Sequence, residues 1–179
     1  MSERVCVFID SANFLFALIE TGWFKKINYY KLANSLCSGR KLVRVYFYDA
    51  IIPPAMDKKR SQEQQRFLSS LDYVSYLEKR FGNMKPKEAF CKKCKSVYQV
   101  WVQKGVDVRL AVDLVSMAAK DMYDVGIVIS ADGDLEHAFY SAKDLGKHIE
   151  WAYFTNKSRK LQNACDRFIE ITKNLIDAC

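Results

Sequence analysis

Two short apolar runs, each closing on a carboxylate, restrict what this chain can fold into. Val125-Gly126-Ile127-Val128-Ile129 leads into Ser130-Ala131-Asp132-Gly133-Asp134, and Val5-Cys6-Val7-Phe8-Ile9 leads into Asp10, with Asn13 close behind. Near-continuous β-branched runs are the composition of strands covered on both faces, as in parallel sheets. Gly133 lets the backbone turn sharply between Asp132 and Asp134. In open α/β sheets, ligands gather outside the carboxyl ends of the strands. Acid groups delivered there by separate strands are costly to crowd unless a cation joins them, which points to a divalent-metal site.

The rest of the chain fits that frame. Strands are expected at 4–10, 41–49, 97–103, 125–130 and 148–154. Helical spacing links Phe14, Leu15, Leu18 and Ile19; Phe67, Leu71, Val74, Leu77 and Phe81; Leu110, Leu114, Val115 and Ala118; and Leu135, Ala138, Phe139, Ala142 and Leu145. Alternating strands and helices predict an α/β fold with a mainly parallel central sheet. Pro53-Pro54 breaks the chain after the second strand. The polar, lysine-rich segment 82–97 reads as a long connection or small insertion. With no internal repeat and no separating linker, we expect a single domain over 1–179 carrying a basic, cysteine-containing insertion at about 82–97.

No apolar run approaches the roughly 18 residues that span a bilayer, and the first run ends on an aspartate, unlike a signal peptide. A cytoplasmic location without membrane partners follows as the expectation. The six cysteines then read as reduced thiols, mostly in the core. A net charge of +7 suggests a polyanionic partner, the more so because several acidic residues are drawn to strand ends.

Each carboxylate has a structural reading beside the functional one. Asp10 could cap the helix that follows it, a contribution of about 1 kcal/mol, while Asn13 could return its amide to the Asp10 carboxylate. Asp134 could cap the helix 135–145, whereas Asp132 has no such ready explanation; Ser130 could bond a metal ligand or simply form the turn. Asp107 could be an N-cap. Asp113 interrupts an apolar helix and could pair with Arg109. Six helical residues rotate by about 240°, so Asp107 and Asp113 serve one site only if Asp107 lies at or before the helix start.

Taken together, Phe8-Ile9-Asp10-Ser11-Ala12-Asn13, Lys104-Gly105-Val106-Asp107-Val108 with Asp113, Ser130-Ala131-Asp132-Gly133-Asp134, Gly146 and Ala164-Cys165-Asp166-Arg167-Phe168 resemble the NYN domains, a branch of the PIN-like nucleases, and are closest to the LabA-like subgroup. The resemblance implies a three-layer α/β/α PIN-like fold and metal-dependent hydrolysis of RNA, single-stranded RNA above all. It implies acidic catalytic functions for Asp10, Asp107, Asp113, Asp132 and Asp134, supported by Asn13 and Ser130. Asp10, Asp132, Asp134 and Asp113 would hold Mg²⁺ or Mn²⁺, and the choice between Asp107 and Asp113 as the metal contact stays open. The alternative is a non-catalytic RNA-binding or regulatory member of the same family, and a homodimer is open to either.

Cys91-Lys92-Lys93-Cys94 has the spacing of half a zinc ribbon but no second pair in the chain, so structural Zn²⁺ would need distant ligands or another subunit. Lys92, Lys93, Lys95, Lys104 and Arg109, with Tyr98 and Trp101 interleaved, could grip phosphates and stack bases, or could form a solvated loop followed by core aromatics. Lys58, Lys59 and Arg60, and Lys157, Arg159 and Lys160, are surface cations with the same two readings. His137 and His148 are assigned to the core fold. The chain lacks a Walker loop, GxGxxG and HExxH, and Ala12 stands where a DxD phosphatase pair would need an acid.

Overall fold

In the computed structural model, which describes residues 2–155 and 158–179, the two apolar runs lie side by side at the centre of a seven-stranded sheet. The strands are β1 (Arg4–Asp10), β2 (Lys41–Ile51), β3 (Leu77–Phe90), β4 (Val97–Lys104), β5 (Val125–Ile129), β6 (His148–Tyr153) and β7 (Arg167–Glu170), ordered β4-β3-β2-β1-β5-β6-β7. All neighbours are parallel except the antiparallel hairpin β3–β4. Alternation along β1 sends Val5, Val7 and Ile9 to one face and Cys6 and Phe8 to the other. Helices α1 (Ser11–Glu20), α2 (Tyr29–Cys37), α3 (Lys58–Ser70) and α7 (Lys173–Asp177) cover the first face. Helices α4 (Val106–Ala119), α5 (Glu136–Asp144) and α6 (Arg159–Ala164) cover the second, which completes the three-layer α/β/α arrangement. Among the described residues, no helix is long and apolar enough to cross a membrane.

Several expectations are corrected. The repeat from Phe67 to Phe81 is helical only to Ser70; a 3-10 turn at Leu71–Tyr73 and a left-handed Tyr76 (φ 61°) then admit β3. Leu77 and Phe81 are four residues apart, a spacing that keeps side chains on one face of a helix and of a strand alike. The segment 82–97 is largely strand: β3 pairs with β2 as far as Asn83 and then overshoots the carboxyl end of the sheet, returning as β4. The resulting arm stands roughly 25 Å beyond the sheet at ~3.3 Å per residue. Gly82 sits where this arm leaves the body, and a Cβ there would lie 2.6 Å from both the Lys104 carbonyl oxygen and Val106 Cγ2. Only Cys6 and Cys37 are buried cysteines; Cys91 and Cys94 fall at the arm tip, Cys165 just before the edge strand β7, and Cys179 beside the start of α2. His137 and His148 lie in α5 and β6 of the main fold, as expected, with exposed side chains, whereas Tyr98 and, in part, Trp101 are exposed rather than in the core. The edge strand β7, four residues long, carries no pattern readable without its neighbour.

Candidate active site

The ends of β1 and β5 bring Asp10 and Ser130 into contact. Asp10 has extended backbone (φ −75°, ψ 104°) and caps α1, its Oδ1 accepting the Asn13 N–H at 3.2 Å. Its Oδ2 accepts the Asn13 side-chain amide at 2.5 Å and the Ser130 hydroxyl at 3.1 Å. The capping and functional readings of Asp10 are therefore compatible, since a cap at a strand end is also aimed into the crevice. Burial pushes its carboxyl above the usual range, against the pull of these three donors. Ser130 is itself fixed: its hydroxyl accepts the Asp132 N–H at 3.1 Å and its carbonyl accepts the Trp151 indole N–H at 2.7 Å.

Asp132, expected to lack a structural duty, caps the 3-10 turn Gly133–Leu135 by accepting the Asp134 N–H at 2.9 Å. The cap falls here because the 3-10 turn precedes α5, so it is not Asp134 that starts the helix. Asp134 is exposed, with Lys160 Nζ 3.9 Å away. Asp107 is the second residue of α4, in its first turn, and the cap position before the helix is Gly105 (φ 82°) rather than Asp107. Burial raises its carboxyl first, and the neighbouring charges of Asp10, Asp132 and Asp134 raise it further. Four carboxylates from three β-to-α connections thus share one electrostatic field.

Asp113 meets Tyr48, the cross-strand neighbour of Asp10, and Arg80. Its Oδ2 accepts the Tyr48 hydroxyl at 3.0 Å and lies 3.4 Å from Arg80 Nε, not on Arg109. Arg109 instead donates to the Phe81 carbonyl at 2.9 Å and tethers α4 to β3. Lys92, Lys93, Lys95 and Lys104 are all exposed along the arm. Cys94 at its tip is held down to about 7 by hydrogen bonds, chiefly with the Ser96 hydroxyl. Arg159 and Lys160 are exposed beside the crevice, and Lys157 lies outside the described residues.

Sequence reasoning missed Asp49. It follows the apolar stretch of β2 just as Asp10 follows that of β1, and its carboxyl is raised by burial and also by the charge of Asp10. Its Oδ2 accepts the Gln64 amide at 3.1 Å, and Ser11 also bonds it. The clue in the sequence was the same strand-then-carboxylate order, since the expected strand 41–49 closes on Asp49, but Arg44, Tyr46 and Tyr48 interrupt its apolar run.

The NYN domain family matches residues 4–172. The chain belongs to this family. NYN domains are part of the PIN-like nuclease superfamily, whose members typically use divalent metals and act on RNA. The fold of this NYN chain is also that of a solved protein of unknown function from Vibrio parahaemolyticus, at a TM-score of 0.69 and 18% identity over 96% of this chain and 94% of the other. Among curated proteins, none matches the sequence.

The donor set suits a hard, water-rich cation. Among the described residues, no three His, Cys, Asp or Glu side chains stand close enough to cage an ion by themselves. Magnesium asks for less, taking one or two carboxylates and filling its octahedron with water and phosphate oxygens. The raised carboxyls of Asp10 and Asp107 fit a site held in readiness for added positive charge.

A pH prediction follows for the metal-free protein. Because the folded-state pKa of Asp107 lies above its unfolded value, ionising it costs stability as pH rises through that folded pKa and costs nothing below the unfolded value. Measured by calorimetry, the melting temperature of Asp107→Asn should therefore gain on wild type between pH 4 and pH 7.5. Any constant offset from the α4 terminus leaves that slope unchanged. Parallel curves would show that Asp107 does not feel the other carboxylates.

Proposed function

We propose that this NYN chain is a divalent-metal-dependent ribonuclease of the LabA-like kind, with Mg²⁺ or Mn²⁺ as its ion and single-stranded RNA as its substrate. The observation that carries the reading is that Asp10, Asp107, Asp132 and Asp134 gather at the ends of three β-to-α connections, where burial first and the neighbouring carboxylates second raise Asp107, a crowding that costs stability unless a cation is bound. Asp10 and Asp132 would hold the ion with Asp107 or Asp134. When bound, the ion supplies Lewis-acid charge to the scissile phosphate and lowers the pKa of water. Asn13 and Ser130 keep the Asp10 carboxylate oriented and ionised by donating to it. Asp113 fixes Arg80 and Tyr48 behind the crevice.

The test is incubation of pure protein with labelled single-stranded RNA and Mn²⁺ beside an Asp132→Asn control. Cleavage by wild type, lost in the variant and abolished by chelation, is expected. Binding without cleavage would instead assign the chain to the non-catalytic members of its family.

The arm lysines would track the phosphate backbone. Replacing Lys92, Lys93 and Lys95 together with alanine should reduce the slope of log affinity against log salt by about 0.7 for each lost contact. Cleavage of a substrate too short to reach the tip should survive, given the roughly 25 Å length of the arm. An unchanged slope would remove these residues from the RNA path.

A further inference from the structure

The arm ends in a feature that RNA cleavage does not use. Residues 91–96 close the hairpin with the Cys91 N–H donating to the Ser96 carbonyl at 2.9 Å and the Lys95 N–H donating to the Cys91 carbonyl at 2.8 Å. Lys95 adopts a left-handed backbone (φ 56°) in this loop, which carries both cysteines at the tip. The Ser96 hydroxyl lies 2.9 Å from the Cys94 sulfur and is placed to donate to it. Donors aimed at a sulfur favour a thiolate, the form that ligates a soft or borderline metal.

Two thiolates are half of a tetrahedral zinc site. Among the described residues, no third Cys, His, Asp or Glu is close enough to join them. The surroundings of the tip are also incomplete. Phe90, Val97 and Tyr98, which flank the loop on the two strands, are 60%, 64% and 50% exposed. Phe90 and Val97 pair across the hairpin and so form one apolar collar below the cysteines. Unpaired thiols and an apolar collar at the end of a projecting arm would be completed together by a like surface.

We propose that Cys91 and Cys94 bind one Zn²⁺ jointly with the same two residues of a second copy of this chain, joining two molecules tip to tip. Four Cys S–H groups give up four protons, and the resulting four thiolates with Zn²⁺ carry a net charge of −2. That charge offsets part of the repulsion between Lys92, Lys93 and Lys95 of the two copies, which opposes the contact. The symmetry is that of an ordinary two-fold dimer, in which the same patch meets itself. The proposal is independent of the reading of the carboxylate site.

The experiment is a titration of the reduced full chain with Co²⁺ and then Zn²⁺, read by absorption and by light scattering. Expected are thiolate-to-cobalt charge-transfer bands with tetrahedral d–d bands, saturation at one metal per two chains, and a doubling of mass that a chelator reverses. Cys91→Ser and Cys94→Ser should each abolish the bands and the doubling while leaving the melting temperature of the monomer unchanged. Phe90→Ser should raise the concentration at which the dimer forms. One metal per chain in a monomer, doubling that survives in the cysteine variants, or an intramolecular Cys91–Cys94 disulfide with no metal uptake after reduction would each overturn the proposal.

Discussion

Replacing Asp10 with asparagine is expected to lower metal-dependent RNA cleavage by at least about 100-fold, a loss of the size seen when one electrostatic contact to a developing charge is removed, and to leave the fold intact. The carboxylate is almost fully buried, with three donors converging on it from Asn13 and Ser130. Asparagine keeps the shape and one acceptor, and the Asn13 amide can turn its own oxygen toward the new NH₂ group. The charge is what disappears. Because burial holds the Asp10 carboxyl above its usual range, the ionised form costs the native state stability at neutral pH, and the neutral variant is spared that cost. The assay pairs initial cleavage rates across a Mn²⁺ titration with a thermal melt. A variant that cuts normally would move the chemistry away from Asp10, and one that unfolds would make Asp10 a cap and nothing more.

The largest effect on stability is expected far from the crevice. Arg40, just after α2, makes a two-pronged contact with Glu150 of β6, at 2.9 Å to Oε1 and 2.8 Å to Oε2. Its Nε donates to the Cys37 carbonyl at 2.9 Å and so closes the end of α2. Glu150 is buried, and its next cation, Arg167, is 3.8 Å away. Arg40→Ala leaves that carboxylate without its main partner, a change that costs about 3–5 kcal/mol. At 2–4 °C per kcal/mol for a chain of this size, the melting temperature should fall by roughly 6–20 °C. Pairing Arg40→Met with Glu150→Leu should restore most of the loss, since matched apolar replacements of buried ion pairs are often neutral. A fall of less than about 2 °C in the single variant would mean that water reaches Glu150 freely and screens it.

How much of this was legible in the residues depends on what each residue faces. Asp10 and Asp132 stood out because an apolar strand stops at each and the chain turns at once. Asp49 did not, although the expected strand 41–49 closes on it, because tyrosines and Arg44 break up the apolar run before it. The helices of the second layer were readable from Leu110, Leu114, Ala138 and Ala142, all buried against the sheet. The outer half of β3 was not readable as strand, because neither face is covered and selection for apolar alternation is absent there. Asp113 stood out in the sequence because it interrupts an apolar helix. Only the sheet order, which places Tyr48 and Arg80 beneath α4, reveals where its carboxylate goes.

The position of β1 has a consequence for the order of events during synthesis. It is the first strand made, yet it lies at the centre of the sheet, between β2 and a strand that starts at Val125. At about 5–20 residues per second, the ribosome needs roughly 6–24 s to go from the end of β1 to the end of β5. Through that interval one edge of Val5–Ile9 offers unpaired backbone groups, an invitation to pair with other nascent chains. Substitutions that slow the docking of β5 should therefore show first as lost yield in cells, before any change in the purified protein. The same delay keeps Asp10 apart from Ser130 and Asp132 until both have been made, so the crevice between β1 and β5 can assemble only late in synthesis.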